Sequence, residues 1–221
     1  MPIEALIFDL DGTLVDTAPD LMAATNQIMA MEGRHAVSEA QIRQFVGHGA
    51  MDLIKRGLAA TGSVPGEARL RILHRNFLDF YGANISTHSQ LFDGLMLLLD
   101  KATAQGLKMG VCTNKVEALS HKLLKAIGLD SYFSGLVGGD TLAIMKPNAE
   151  PYVEVARRLG VNARNTIMFG DSETDIRTAQ NVGVPVIAVS FGYTIKHVSH
   201  FKPDFVIDHY DEAWPIIARY V

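Results

Sequence analysis

Leu6-Ile7-Phe8-Asp9-Leu10-Asp11-Gly12-Thr13-Leu14-Val15-Asp16 closes an apolar run that begins at Ile3 and sets two carboxylates, Asp9 and Asp11, before a Gly-Thr turn. Such a run reads as a buried strand that delivers both carboxylates to a cavity rim. Alternate strand residues share a side, so Asp9 and Asp11 would point together if the strand continued; Gly12 argues that the chain curls there. Either way the two stay close. Carboxylates ~4 Å apart repel by roughly 4 kcal/mol at an effective dielectric of about 20, a cost that a cation or a shared proton must relieve. The stretch therefore asks for a metal. Taken alone it also suits a surface turn, because Asp and Gly favour turns, so the rest of the chain must decide.

Working outward, the 221 residues are 48% hydrophobic and 20% charged, which suits a globular chain with a sizeable core, either one large domain or one domain carrying an inserted small one. No apolar run approaches the ~20 residues of a membrane span, and no basic, then apolar, leader opens the chain. A cytoplasmic location is the expectation, with no membrane partner. Scattered Lys and Arg at a net charge of −4 offer no basic stripe, which argues against nucleic acid. Cys112, the only cysteine, has no internal disulfide partner and reads as a buried strand residue beside Met109 and Val111.

Behind the first strand the rhythm turns helical. Thr17 and Asp20 suggest a helix start with Leu21, Ala24, Ile28 and Met31 at helical spacing, and Ser38 to Gln41 has the capping-box pattern. A third helix through Leu53, Ile54 and Leu58 should stop near Gly62, and a fourth carries Leu70, Leu73, Phe77 and Phe80. Residues 16–86 thus read as an all-helical insertion, a small cap between two parts of another domain, 1–15 and 87–221. From Leu91 strands and helices alternate, with strands at 107–112, 136–138, 166–169, 184–189 and 205–207. The expected fold is α/β, a Rossmann-like parallel sheet covered by helices, which binds ligands beyond the carboxyl ends of its strands.

Four of those ends carry polar groups: Asp9 and Asp11, Thr113-Asn114, Lys146-Pro147, and Asp171 with Asp175. Three or four carboxylates can hold one Mg²⁺ through oxygen, Lys146 adds a fixed positive charge, and Thr113 offers a hydroxyl and an amide to an anion. A dianionic phosphoryl group fits that set, because phosphoryl transfer is catalysed by positioning and charge neutralisation. The eight histidines show no metal-ligand spacing, but His48, between Gly47 and Gly49, stands where a cap loop can face the phosphate or simply face solvent. The nine methionines read as core filling.

Asp9-Leu10-Asp11-Gly12-Thr13-Leu14-Val15-Asp16, Thr113-Asn114-Lys115, Lys146-Pro147 and Gly170-Asp171-Ser172-Glu173-Thr174-Asp175 resemble, in order, the four motifs of the haloacid dehalogenase-like hydrolase superfamily. The likeness spans the whole chain and is strongest to its bacterial phosphoglycolate phosphatases. It implies that Asp9 is a nucleophile forming an aspartyl-phosphate and that Asp11 is the general acid and base. It further implies Mg²⁺ held by the Asp9 side chain, the Asp11 backbone carbonyl and Asp171, phosphoryl oxygens held by Thr113 and Asn114, Lys146 paired with the phosphate and Asp9, and Asp175 behind them. The expected reaction is hydrolysis of a small phosphorylated metabolite, above all 2-phosphoglycolate, by a monomer or homodimer.

Other readings remain open on the residues alone. Another small phosphate, such as pyrophosphate, a sugar phosphate or a nucleotide, would suit the same motifs, and a phosphosugar mutase would retain Asp11. A carbon-halogen hydrolase has less use for a second acid, since halide leaves without a proton. A signalling receiver domain would not need the helical insertion after its first strand, and a catalytically silent binding protein would not need every motif intact.

Overall fold

The computed structural model describes residues 2–221. In chain order its elements begin with β1 (Ala5–Phe8) and β2 (Val15–Asp16), followed by the helices α1 (Ala18–Met31), α2 (Glu39–Phe45), α3 (Ala50–Thr61) and α4 (Glu67–Ala83). Then come β3 (Gln90–Leu91), α5 (Leu95–Ala104), β4 (Lys108–Cys112), α6 (Glu117–Ala126), β5 (Gly135–Val137) and α7 (Ala149–Leu159). The chain closes with β6 (Thr166–Gly170), α8 (Glu173–Val182), β7 (Val186–Val189), β8 (Phe205–Ile207) and α9 (Ala213–Ile217).

Six strands form one parallel sheet in the order β5-β4-β1-β6-β7-β8. Both faces are covered, which is why β1 is uniformly apolar rather than alternating. Ala5 and Ile7 point to the side packed by α7 and α8, with Cys112, Val155, Met168 and Ile176. Leu6 and Phe8 point to the other side, with Leu99 of α5, Leu123 of α6 and Ile217 of α9. Phe8 stacks on Phe169 of the neighbouring strand at a centroid distance of 4.6 Å. Burial pushes the Cys112 thiol up to about 12, so it behaves as an inert core residue.

The chain leaves β1 for β4 and β5 on one side, then returns to β6 on the other. The order therefore reverses at β1, and the crevice beyond its carboxyl end lies between β4 and β6. Asp9, Thr113 and Asp171 each follow directly on one of these three strands.

The helices α1 to α4 pack on one another, and α2 starts with the expected capping box between Ser38 and Gln41. The start of α1 differs from the reading of its sequence. Thr17 makes no side-chain cap; its own amide and the first amide of α1, Ala18 N, donate instead to the phenol oxygen of Tyr193 at 2.6 and 3.0 Å. Asp20 accepts from the amides of His88 and Ser89 and from the Ser89 hydroxyl, latching α1 to the segment that leads out of α4. The antiparallel pair β2–β3 joins the entry and exit strands of the helical block. Two-residue strands carry no periodicity, so this pair is not legible in the sequence.

Candidate active site

Asp9 still belongs to the sheet: its amide donates to Phe169 O at 2.9 Å, and its side chain enters the crevice. The chain then turns at Gly12, whose φ of +86° is disfavoured for other residues. A Cβ there would also stand 2.6 Å from Asp171 Oδ2, so glycine is required twice over. Because the strand has ended, the i, i+2 rule no longer applies, and the Asp11 carboxylate does not join that of Asp9.

The carboxylates that do converge are those of Asp9, Asp171 and Asp175, whose oxygens lie within 4.8 Å of one another. Asp171 follows β6 and accepts from Thr13 Oγ1 at 3.1 Å and from the Tyr193 amide at 2.7 Å. Gly192 gives it room, since a Cβ at that position would fall 2.1 Å from the Asp171 Cβ. Asp175 belongs to the capping box of α8: its Oδ2 accepts from the amide and hydroxyl of Ser172. Its Oδ1 accepts from Lys146 Nζ at 2.6 Å, so one carboxylate both caps a helix and anchors the ammonium.

Lys146 Nζ also lies 2.9 Å from Asp9 Oδ1, but off the direction of a hydrogen bond, which leaves that buried oxygen without a hydrogen-bond partner. Two of the three carboxylates, Asp9 and Asp175, thus share one cation. Burial, reinforced by the charge of Asp175, pushes the Asp9 carboxyl up to about 6, although Lys146 pulls it down. Asp171 is driven well above the ordinary range by burial and then by the charges of Asp175 and Asp9. Burial opposes the Lys146 ammonium, yet Asp175 and Asp9 hold its pKa above the usual lysine range.

A divalent cation fits this arrangement. The cluster offers only hard carboxylate oxygens, without His or Cys, and its buried Asp9 Oδ1 has the Lys146 ammonium beside it but no aligned hydrogen bond.

The other expected site residues are placed differently. Thr113 Oγ1 accepts from the Lys115 amide at 3.2 Å, which leaves its hydroxyl proton free for an anion. Asn114 is a clamp: its amide nitrogen donates to Gly47 O and Lys146 O, and its oxygen accepts from the Lys146 amide. Its side chain is thereby committed to joining three loops rather than open to a phosphoryl oxygen. Asp11 is held by Lys115 Nζ at 2.8 and 3.0 Å and by Thr17 Oγ1 at 2.8 Å. The cation that relieves Asp11 is therefore a lysine side chain. The sequence offers one local signal for Lys115, a lysine three residues beyond the end of a buried parallel strand, and that signal assigns it no partner.

Two clefts meet at Asp9 and Asp11, with the Gly47 loop between them. The inner one, of about 50 Å³, runs under α3 and α4 and is walled by Leu21, Leu53, Phe77, Tyr81, Lys115 and Leu119. The outer one, of about 430 Å³, opens past His48, Arg56, Asp171, Arg177 and Lys196. His48 is exposed there.

A doubly wound parallel sheet with a cluster of acidic residues at its switch point suits a class of hydrolases built around a strand-end aspartate. A family model described as haloacid dehalogenase-like hydrolase matches residues 6–189, and the chain belongs to this family. It is 43% identical over 206 residues to a phosphoglycolate phosphatase of Mesorhizobium japonicum, covering 93% of this chain and 91% of that protein. Over 217 residues it is 34% identical to a phosphoglycolate phosphatase of Yersinia pestis, covering 98% and 94%. The crystal structure of a predicted phosphoglycolate phosphatase from Haemophilus somnus 129PT superposes with a TM-score of 0.91 at 29% identity, covering 97% of each chain. No described helix is long and apolar enough to cross a membrane.

Proposed function

We propose that this chain is a Mg²⁺-dependent phosphomonoester hydrolase whose substrate is 2-phosphoglycolate, and that residues 16–86 act as a cap over a site carried by residues 1–15 and 87–221. The observation that carries the reading is Asp9 Oδ1, a buried carboxylate oxygen without a hydrogen-bond partner at the switch point of the sheet, 2.9 Å from a buried ammonium. The names of the relatives support the choice of substrate.

Asp9 attacks phosphorus, a bond forms between its carboxylate oxygen and the phosphoryl group, and the ester P–O bond breaks. As that bond breaks, Asp11 delivers a proton to the departing glycolate oxygen. Asp11 then takes a proton from water as the water oxygen attacks phosphorus, the Asp9–phosphorus bond breaks, and phosphate leaves. Lys146 neutralises charge on Asp9 and on the phosphoryl oxygens, while the Thr113 hydroxyl donates to one of those oxygens. Asn114 fixes Lys146 and the Gly47 loop around them. Asp9 and Asp171, with the Asp11 carbonyl, would hold Mg²⁺, and Asp175 would orient Lys146 beside it. The ion supplies the positive charge that lets a carboxylate approach a phosphate dianion.

Phosphate release should be measured with 2-phosphoglycolate, hexose phosphates, nucleotides, pyrophosphate and phosphoserine, with Mg²⁺ and with EDTA. 2-Phosphoglycolate should give the highest kcat/KM, EDTA should abolish turnover, and added Mg²⁺ should restore it. Another ester leading the series would overturn the substrate; full activity after exhaustive chelation would overturn the metal.

A further inference from the structure

The inner cleft holds a cation that the chemistry above does not use. The Lys115 side chain is 6% exposed, and its Nζ contacts both Asp11 oxygens and, at 2.8 Å, the Tyr81 hydroxyl. Tyr81 is buried, and its hydroxyl accepts from Lys115. Its own proton has no acceptor among the described residues. Tyr81 lines the inner cleft, so its hydroxyl can donate to an oxygen-bearing ligand that enters there.

We propose that Lys115 and Tyr81 form the subsite that binds the substrate's carboxylate, and thereby select 2-phosphoglycolate over uncharged esters. The proposal rests on the phosphoglycolate reading and adds the residues that read its second anionic group. Position supports it: in 2-phosphoglycolate the carboxylate carbon is two bonds from the ester oxygen. The group that protonates that oxygen is Asp11, and Lys115 is bonded to Asp11. Charge supports it too, since among the described residues Lys115 is the only cation lining the inner cleft. An ammonium has three protons, and those of Lys115 already face both Asp11 oxygens and the Tyr81 hydroxyl; a carboxylate that replaced the longest of these contacts, the one to Asp11 Oδ2 at 3.0 Å, would leave Asp11 held through Oδ1 at 2.8 Å. Size agrees as well. The cleft's volume of about 50 Å³, at roughly 10–15 Å³ for each water-sized centre, takes about four atoms. Glycolate has four heavy atoms beyond its ester oxygen. The outer cleft is far larger and leaves so small a group unconfined.

The test compares kcat and KM for 2-phosphoglycolate and for 2-hydroxyethyl phosphate, which replaces the carboxylate by a hydroxymethyl group. Wild type, Lys115→Met, Lys115→Arg and Tyr81→Phe are measured with Mg²⁺. Lys115→Met should lower kcat/KM for 2-phosphoglycolate relative to the hydroxyethyl ester by roughly ten- to a hundredfold, mainly through KM, as loss of a charged hydrogen bond would. Lys115→Arg should recover part of that ratio, and Tyr81→Phe should lower it several-fold. Equal losses for both esters in Lys115→Met and Tyr81→Phe would mean that Lys115 acts only on Asp11, and would overturn the proposal. Should Lys115→Met fail to fold, Tyr81→Phe and inhibition by free glycolate decide: glycolate should inhibit p-nitrophenyl phosphate hydrolysis less well in Tyr81→Phe, and unchanged inhibition counts against the subsite. A wild-type enzyme that does not prefer 2-phosphoglycolate to the hydroxyethyl ester would refute the substrate reading itself, before any variant is compared.

Discussion

Lys146→Met removes the one ammonium from a cluster of three buried carboxylates and keeps much of the apolar stem. In the native protein Nζ lies 2.9 Å from Asp9 Oδ1 and 2.6 Å from Asp175 Oδ1, with the side chain 2% exposed. Without it, Asp9, Asp171 and Asp175 face one another within 4.8 Å, where each like-charged pair repels by about 3.5 kcal/mol at an effective dielectric of about 20. Removing one partner of a buried ion pair costs about 3–5 kcal/mol for the same reason. For a chain of this size that corresponds to a Tm lower by about 6–20 °C. The carboxylates can relieve the repulsion by taking up a proton, so the loss should be smaller at pH 5 than at pH 8. Urea denaturation of wild type and variant in EDTA at both pH values measures it, and Mg²⁺ should close part of the gap by restoring positive charge. A loss below about 1 kcal/mol at pH 8, the scale of an exposed ion pair, would refute the buried-cluster account.

Asp9→Asn should abolish turnover and also change how metal-free stability depends on pH. Burial raises the Asp9 pKa from 3.8 to about 6, so the folded state binds this proton more tightly than the unfolded chain, and stability from this group is present below about pH 4 and lost as pH rises through about 6. The stability of Asp9→Asn relative to wild type in EDTA should therefore grow by about 3 kcal/mol between pH 4 and 7; a difference independent of pH would contradict it. Gly192→Ala should drive its new methyl into Asp171, weakening Mg²⁺ binding by roughly 10- to 100-fold, as disturbing a metal ligand's supports does. Calorimetric titration that finds wild-type affinity would show that the 191–193 loop yields without moving Asp171.

The six-stranded sheet and most of its helices were legible because buried parallel strands are written as short apolar runs. The residues that follow them, Asp9, Thr113 and Asp171, are set by the strand they end. The four helices between β2 and β3 were legible through their 3.6-residue periodicity and the Ser38 cap. The clamp made by the Asn114 side chain was not legible, because a side-chain amide after a strand can serve a ligand or join neighbouring loops, and nothing local distinguishes the two.

The sequence by itself determined where each strand stops and therefore which polar residues reach the crevice, since burial on both faces and turn chemistry are local properties. Only the tertiary structure decided how those residues pair. Lys115 meets Asp11 across 104 positions and Tyr81 across 34, and the Tyr193 hydroxyl caps α1 from 176 residues away. Such partners leave no periodic signal, because a charge contact constrains two side chains in space and nothing in the chain between them. The same holds for the division between a small apolar cleft with one cation and a wide polar one. It depends on where the Gly47 loop settles against Asn114, a contact spanning 67 residues.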